Sequence, residues 1–354
     1  MSTIETQAAN YLERELQMLV IKITDYYYEK NPVLMQRYGA AGRQHSISDT
    51  TFHLQFLIAA LGCDSPDIFS SYNKWAVTML QARGVKQEDL VANLQSIQEV
   101  LERYVPAELF PMVKSYLDQA IIAAAEPSQI AISFFEGDFL NSDLAKHYLE
   151  SLLARKRDCA VEAVVDGVAN GVSLQSLYVD VFPRVQREVG RLWQLNQISV
   201  AEEHYCSAAT QLAISQLYPY VRSSWKANCR HQSVVAACVG NELHEIGMRT
   251  VADCLEANGW ETIYLGANQP IQGVVDAITN SKSKVLALSV SMAFNVRRLS
   301  SFIEQVRSRT DVRVLVGGNV FRTTEGLWRK VGADAYAADA GEATERVKQL
   351  AAAA

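Results

Sequence analysis

Apolar residues recur at helical spacing from Ile4 to Lys30 and stop before Asn31-Pro32. Ser48 stands where it could cap a second helix running to Leu61, with Gly62 as its stop. Ser65-Pro66 puts a capping residue directly before a first-turn proline and opens a third helix to Ala82, closed by Gly84. Two further helical stretches follow, Gln87–Tyr104 and Pro106–Ala125. No strand pattern interrupts them. Residues 1–126 are therefore expected to form an all-helical domain, for which a globin-like fold is one candidate.

Glu126-Pro127-Ser128 marks the first boundary. Beyond it the pattern predicts helices over Ile130–Phe139, Ser142–Arg155, Cys159–Ala169, Leu174–Leu195 and Val200–Val221. Asn141 and Ser173 are available caps, Pro183 should bend the fourth helix, and Ser199 with Glu202 reads as a capping box. Residues 127–227 are expected to be a second helical bundle. From Ser233 the period changes. Short apolar runs at Val234–Val239, Thr262–Leu265, Val285–Val290, Arg313–Val316 and Ala335–Ala338 alternate with helical patterns. Residues 228–354 should then form a doubly wound, flavodoxin/Rossmann-like parallel sheet of five strands, making the chain multidomain, α and α/β.

Composition narrows the functions available. The 354 residues carry a net charge of −6 without a basic block, which disfavours holding a nucleic-acid backbone. No apolar run reaches the ~18 residues of a membrane span. Glu5, Glu13 and Glu15 fall where the apolar core of a signal peptide would be. A cytoplasmic protein with neither membrane nor nucleic-acid partner is expected. Its six cysteines contain no C-x-x-C pair, so a zinc ribbon is not indicated.

In doubly wound sheets ligands bind beyond the carboxyl ends of the strands, where the strand order reverses. Here the first strand is followed by Gly240-Asn241-Glu242-Leu243-His244-Glu245-Ile246-Gly247. The third ends in Ser289-Val290-Ser291 and the fourth in Gly317-Gly318, a pair expected to admit a large ligand. There is no G-x-G-x-x-G in the first turn and no Walker lysine. A lone loop histidine is ordinarily a polar surface residue. A neutral imidazole backed by a carboxylate on its other nitrogen also suits a metal.

The pattern Glu242-x-His244-x-x-Gly247, Ser289-x-Ser291 and Gly317-Gly318 resembles the cobalamin-binding domain of methionine synthase, corrinoid methyltransfer proteins and related sensors. The resemblance covers residues 230–354. It implies that His244 ligates the cobalt of cobalamin from below, displacing the dimethylbenzimidazole. The nucleotide tail would then descend past Ser289 and Ser291 to Gly317 and Gly318. Glu242 departs from the aspartate usual in methyltransferases.

Trp193, followed at a spacing of nine residues by Glu203-His204, is similar to the cap signature of light-responsive adenosylcobalamin photoreceptors. That resemblance implies Trp193 over the upper face and Glu203 at the adenosyl group. Light would cleave the cobalt–carbon bond and shift the bundle, and with it a homo-oligomer that signals to a downstream protein. Gln194 stands where many of those proteins carry a second cobalt-binding histidine. On the residues alone, Trp193 could equally be a core aromatic and Glu203-His204 a solvated helix start.

The N-terminal segment is rich in aromatics, with Tyr26, Tyr27, Tyr28, Tyr38, Tyr72 and Trp75. Asp49 and His53 stand one turn apart, as do Phe52 and Phe56. A plain helical core accounts for them. The alternative is a tetrapyrrole pocket, because the domain's arrangement is similar to that of photocobilins, which combine cobalamin with biliverdin. Asp49 and His53 would then contact the bilin, His45 being a weaker candidate. A haem with His53 as proximal ligand is the competing cofactor. The function expected is therefore a non-enzymatic adenosylcobalamin light sensor, with biliverdin as an optional second chromophore. The alternatives are a corrinoid methyl carrier of a methyltransferase system and a haem redox or gas sensor.

Overall fold

A computed structural model describes residues 3–128 and 131–353. The chain divides into two compact units, Met1–Ile130 and Ala131–Ala354.

The first unit is all-helical: α1 (Ile4–Lys30), α2 (Val33–Gly62), α3 (Pro66–Gln81), α4 (Gln87–Tyr104) and α5 (Phe110–Ala125). Thr3 starts α1 by accepting the Thr6 N–H. One face of α1 buries Leu12, Leu19 and Ile23 completely, as α2 does Leu54, Leu57 and Leu61. Ser48 caps nothing. It sits within α2, which starts at Val33 and is interrupted only at Gly39, where φ of +64° suits glycine. The serine and threonine hydroxyls here turn back onto the helix, as Ser46 to Gly42 O (3.1 Å) and Thr51 to Ile47 O (2.8 Å) show. A capping residue type thus serves inside the helix. The last helix begins at Phe110 because Pro106–Leu109 form a turn, with Leu109 N–H donating to Pro106 O at 2.9 Å.

The second unit opens with a departure from expectation. Over 131–139 there is no helix, and Ile130 lies outside the described residues. The buried Glu188 carboxylate captures the Phe134 N–H (2.9 Å) and the Ser133 hydroxyl (3.0 Å) instead. Then come α6 (Ser142–Leu153), α7 (Arg157–Ala169), α8 (Leu174–Ser176), a π-helical turn (Leu177–Val181), α9 (Phe182–Gln194), α10 (Val200–Gln216) and α11 (Tyr218–Asn228). The irregularity expected at Pro183 takes the form of that wide turn just before it. The long helix expected over Val200–Val221 is two helices broken at Leu217, because Pro219 cannot donate a backbone hydrogen bond.

Five parallel strands follow: β1 (Ser233–Val239), β2 (Glu261–Gln269), β3 (Val285–Ser289), β4 (Arg313–Gly317) and β5 (Ala335–Tyr336). Their order is β2-β1-β3-β4-β5, the flavodoxin-like order, so the chain reverses direction across the sheet between β1 and β3. The connections carry α12 (Ile246–Ala257), α13 (Ile271–Ser281), α14 (Val296–Arg307), α15 (Asn319–Thr323) and α16 (Leu327–Lys330), and α17 (Ala340–Ala352) closes the chain. Register sets Cys238, Ser289 and Gly317 side by side at the strand ends.

Most of the segments 127–227 and 228–354 packs into one compact unit, Ala131–Ala354. The reason is a shared core. Tyr148, Tyr178, Phe182 and Val189 of the helical part cluster with Cys254 of α12 and Ala340 of α17.

Candidate functional site

The loop after β1 turns on Asn241, whose φ of +68° is left-handed. Its N–H donates to Asn268 Oδ1 at 2.7 Å, and Asn268 N–H returns to Glu242 O at 3.1 Å. Glu242 itself has no exposed surface. One carboxylate oxygen meets His244 Nδ1 at 2.6 Å and accepts the His244 N–H at 3.1 Å. The other accepts from Ser291 N–H (2.9 Å), Met292 N–H (3.0 Å) and the Asn295 amide (3.2 Å). Burial pushes this carboxyl up, but the hydrogen bonds from His244 and the three backbone groups outweigh it and hold the group at about 2.

With Nδ1 taken by Glu242, the His244 ring is fixed as an Nδ1–H donor. Its side chain is 61 % exposed, and Nε2 makes no hydrogen bond among the described residues. The Glu242 hydrogen bond raises the imidazole pKa against the effect of burial, and the charges of Glu242 and Glu203 add to it. An oriented imidazole with an open Nε2 lone pair is the donor a single-point metal ligand needs. Among the described residues no group of three or more His, Cys, Asp or Glu could cage a bare ion.

Several expected residues acquire a sharper role. Ser291 is at the site through its backbone N–H on Glu242. Ser289 is buried beside Gly317 and Cys238. No protein atom comes within 4 Å of where a Gly247 side chain would start, which leaves open space beside the histidine loop. Of the glycine pair, expected to make room for a ligand, Gly318 is also a demand of the fold. Gly318 has φ of +112°, and a Cβ there would stand 2.1 Å from Val290 O. At Gly317 the corresponding distance, to Ala337 O, is 3.2 Å.

The helices upstream supply the opposite wall. The Ser199–Glu202 capping box is formed, with Ser199 accepting from Glu202 N–H and Glu202 from Ser199 N–H. This starts α10 so that Glu203 bears electrostatically on His244. Ser207 Oγ holds Glu203 at 2.8 Å. His204 is 73 % exposed, 3.6 Å from Glu203. Trp193, in the last turn of α9, is half-buried. Two turns along α10, Gln211 donates to Glu245 at 3.0 Å.

Asp49 and His53 belong to the first unit. His53 is 2 % exposed, with its Nδ1 unpartnered, and burial lowers its pKa to about 4. The Tyr72 ring meets it edge-on at 5.5 Å and stacks on Phe56 at 3.8 Å. Burial raises Asp49, with His45 opposing. Phe52, expected in the core, is 45 % exposed, and so is Trp75 at 40 %. Sequence reasoning missed Met292, Asn295 and Glu245. For the first two, nothing beyond their position after a strand end could have marked them.

Comparison with known proteins gives this geometry a context. Residues 232–348 match a B12 binding domain, and residues 144–218 match a second B12 binding domain model. The chain is 23 % identical over 210 residues to trimethylamine corrinoid protein 1 of Methanosarcina mazei, covering 56 % of this chain and 96 % of that one. It is 25 % identical over 216 residues to a dimethylamine corrinoid protein of Methanosarcina barkeri, covering 59 % and 97 %. The solved monomethylamine corrinoid protein of M. barkeri shares the fold, with a TM-score of 0.53 at 20 % identity over 60 % of this chain and all of that one. Residues 144–348 thus form a two-part B12-binding module, a helical cap followed by a Rossmann-like domain, and the chain binds cobalamin.

Proposed function

We propose that the chain is a corrinoid carrier, holding cobalamin between α10 and the β1–α12 loop with His244 as the lower cobalt ligand. The observation that carries this is the Glu242–His244 pair, in which a buried carboxylate with five donors around it presents an imidazole with an open Nε2. A cobalamin bound there would supply the methyl-transfer chemistry of its cobalt. The residues would orient it: Glu242 fixes the imidazole tautomer, and the strand ends of β3 and β4 would receive the nucleotide tail. Support for the methyl-carrier reading comes from the corrinoid-protein relatives, which align with 56–59 % of this chain over 96–97 % of their own length. On this reading the protein is a carrier and not itself an enzyme. The test is a titration with hydroxocobalamin. Wild type should give the spectrum of an imidazole-ligated, base-off cobalamin, and His244→Ala should lose it. An unchanged spectrum in the variant would refute the assignment.

A second reading is favoured by two observations. Glu203 of the cap bears on His244, and those relatives match 56–59 % of this chain, the two B12 binding domain matches lying at residues 144–348. Both suit an adenosylcobalamin light sensor with Trp193, Glu203 and His204 at the upper face. Biliverdin in the first unit would belong to the same reading, but His53 is sealed by Tyr72, so the chromophore would have to displace that ring. Green light on the adenosylcobalamin-loaded protein separates the readings. A light-driven change in spectrum and oligomeric size supports the sensor. A dark-stable complex that accepts methyl groups from a methyltransferase supports the carrier.

A further inference from the structure

Glu245, next in sequence to His244, lies outside the pattern that singles out the cobalt site, yet it touches three elements at once. One carboxylate oxygen accepts the Gln211 amide of α10 at 3.0 Å. The other accepts the Tyr264 hydroxyl and the Ala267 N–H of β2, each at 3.2 Å. Its backbone carbonyl accepts Arg249 N–H at 2.8 Å and so opens α12. Three of the roughly four acceptor sites of its carboxylate, and its carbonyl, are therefore engaged in holding three elements in register.

We infer that Glu245 is a positioning residue, a strut between the cap and the histidine loop that sets the slot in which cobalamin is gripped. The inference rests on the corrinoid reading and adds a mechanical link to it. The helix α10 rises ~1.5 Å per residue, so Gln211 and Glu203 lie about 12 Å apart along it. The helix is thereby fixed to the loop at Gln211, while Glu203 is near enough for its charge to bear on the imidazole. A shift of His244 is transmitted through Glu245 to α10, and a tilt of α10 is felt at the loop. Glu203, Glu242, His244, Arg249, Tyr264 and Cys238 are the ionisable groups around this link. The link itself is a hydrogen bond to a carboxylate and needs no change of protonation.

The test is a double-mutant cycle in the full chain, read by cobalamin titration and by the spectral signature of imidazole ligation. Gln211→Ala and Glu245→Ala should each weaken cobalamin binding by about tenfold, the scale of one hydrogen bond to a charged acceptor, and the double variant should lose no more than either single one. Glu245→Gln should restore binding, since its amide can still accept from β2 and pair with Gln211. The fraction of cobalamin carrying the imidazole signature should fall in the alanine variants and recover in the glutamine variant. Gln211 is exposed, so its variant tests the link even if Glu245→Ala fails to fold. Full additivity, or unchanged affinity and spectrum in Gln211→Ala, would overturn the strut. If His244→Ala loses the signature in that same series, the corrinoid reading survives its loss.

Discussion

At the scale of single residues, the spacing of Glu242 and His244 made the central contact legible, because two residues apart on one tight loop is within reach of a hydrogen bond. What the sequence could not show is the cost of the arrangement. A carboxylate with no exposed surface survives ionised only because Ser291, Met292 and Asn295 also donate to it, and they lie about fifty residues away. Glu242→Ala should therefore destabilise the second unit by about 3 kcal/mol, leaving buried donors orphaned, as chemical denaturation would show. His53 makes the opposite case. Its folded pKa of about 4 lies below that of an unfolded histidine, so its contribution is present above about pH 6.5 and is lost as pH falls toward 4. That linkage amounts to about 3 kcal/mol. The protection of α2 amides relative to their intrinsic exchange rates should fall across this window in wild type and stay level in His53→Leu.

Elements were legible where the physics is local. The β-strands followed from apolar runs, and the Ser199–Glu202 box formed as its two side chains demand. Ser199→Ala should cost about 1 kcal/mol, measured as a drop in the melting temperature of the second unit. Reading failed where a distant side chain or a missing donor decided. Residues 131–139 lose their helix to Glu188, and Pro219 cuts a helix that apolar spacing alone would continue. The glycine pair was legible as a signal but not in its cause. Gly318→Ala puts a methyl group 2.1 Å from Val290 O at a φ of +112°. The strained backbone and the forced shift of the β3 end should together cost about 3 kcal/mol or more in denaturant unfolding. Because the same strand end carries Ser291, cobalamin binding should weaken as well. A variant that keeps wild-type stability would show that the crossing is not fixed.

On the scale of the whole molecule, the helical segment before the sheet and the sheet itself pack as one compact unit, Ala131–Ala354. Apolar periodicity marks helices but not which helices share a core, so the merger of cap and sheet through Cys254 and Ala340 was beyond its reach. The merger has a thermodynamic consequence. A ligand stabilises only the cooperative unit whose folded form binds it. Cobalamin, if held by the cap and the sheet as proposed, should raise the melting of 131–354 as a single transition. At a free concentration a hundred times the dissociation constant, the gain is about 2.7 kcal/mol. The transition of the first unit should stay where it is. Calorimetry of the full chain with and without hydroxocobalamin checks this, with His53→Leu near pH 5 marking the first unit's transition by moving it alone. Were the cap to melt separately from the sheet, the ligand would split the second transition. The shared core at Tyr178, Cys254 and Ala340 argues that it moves whole.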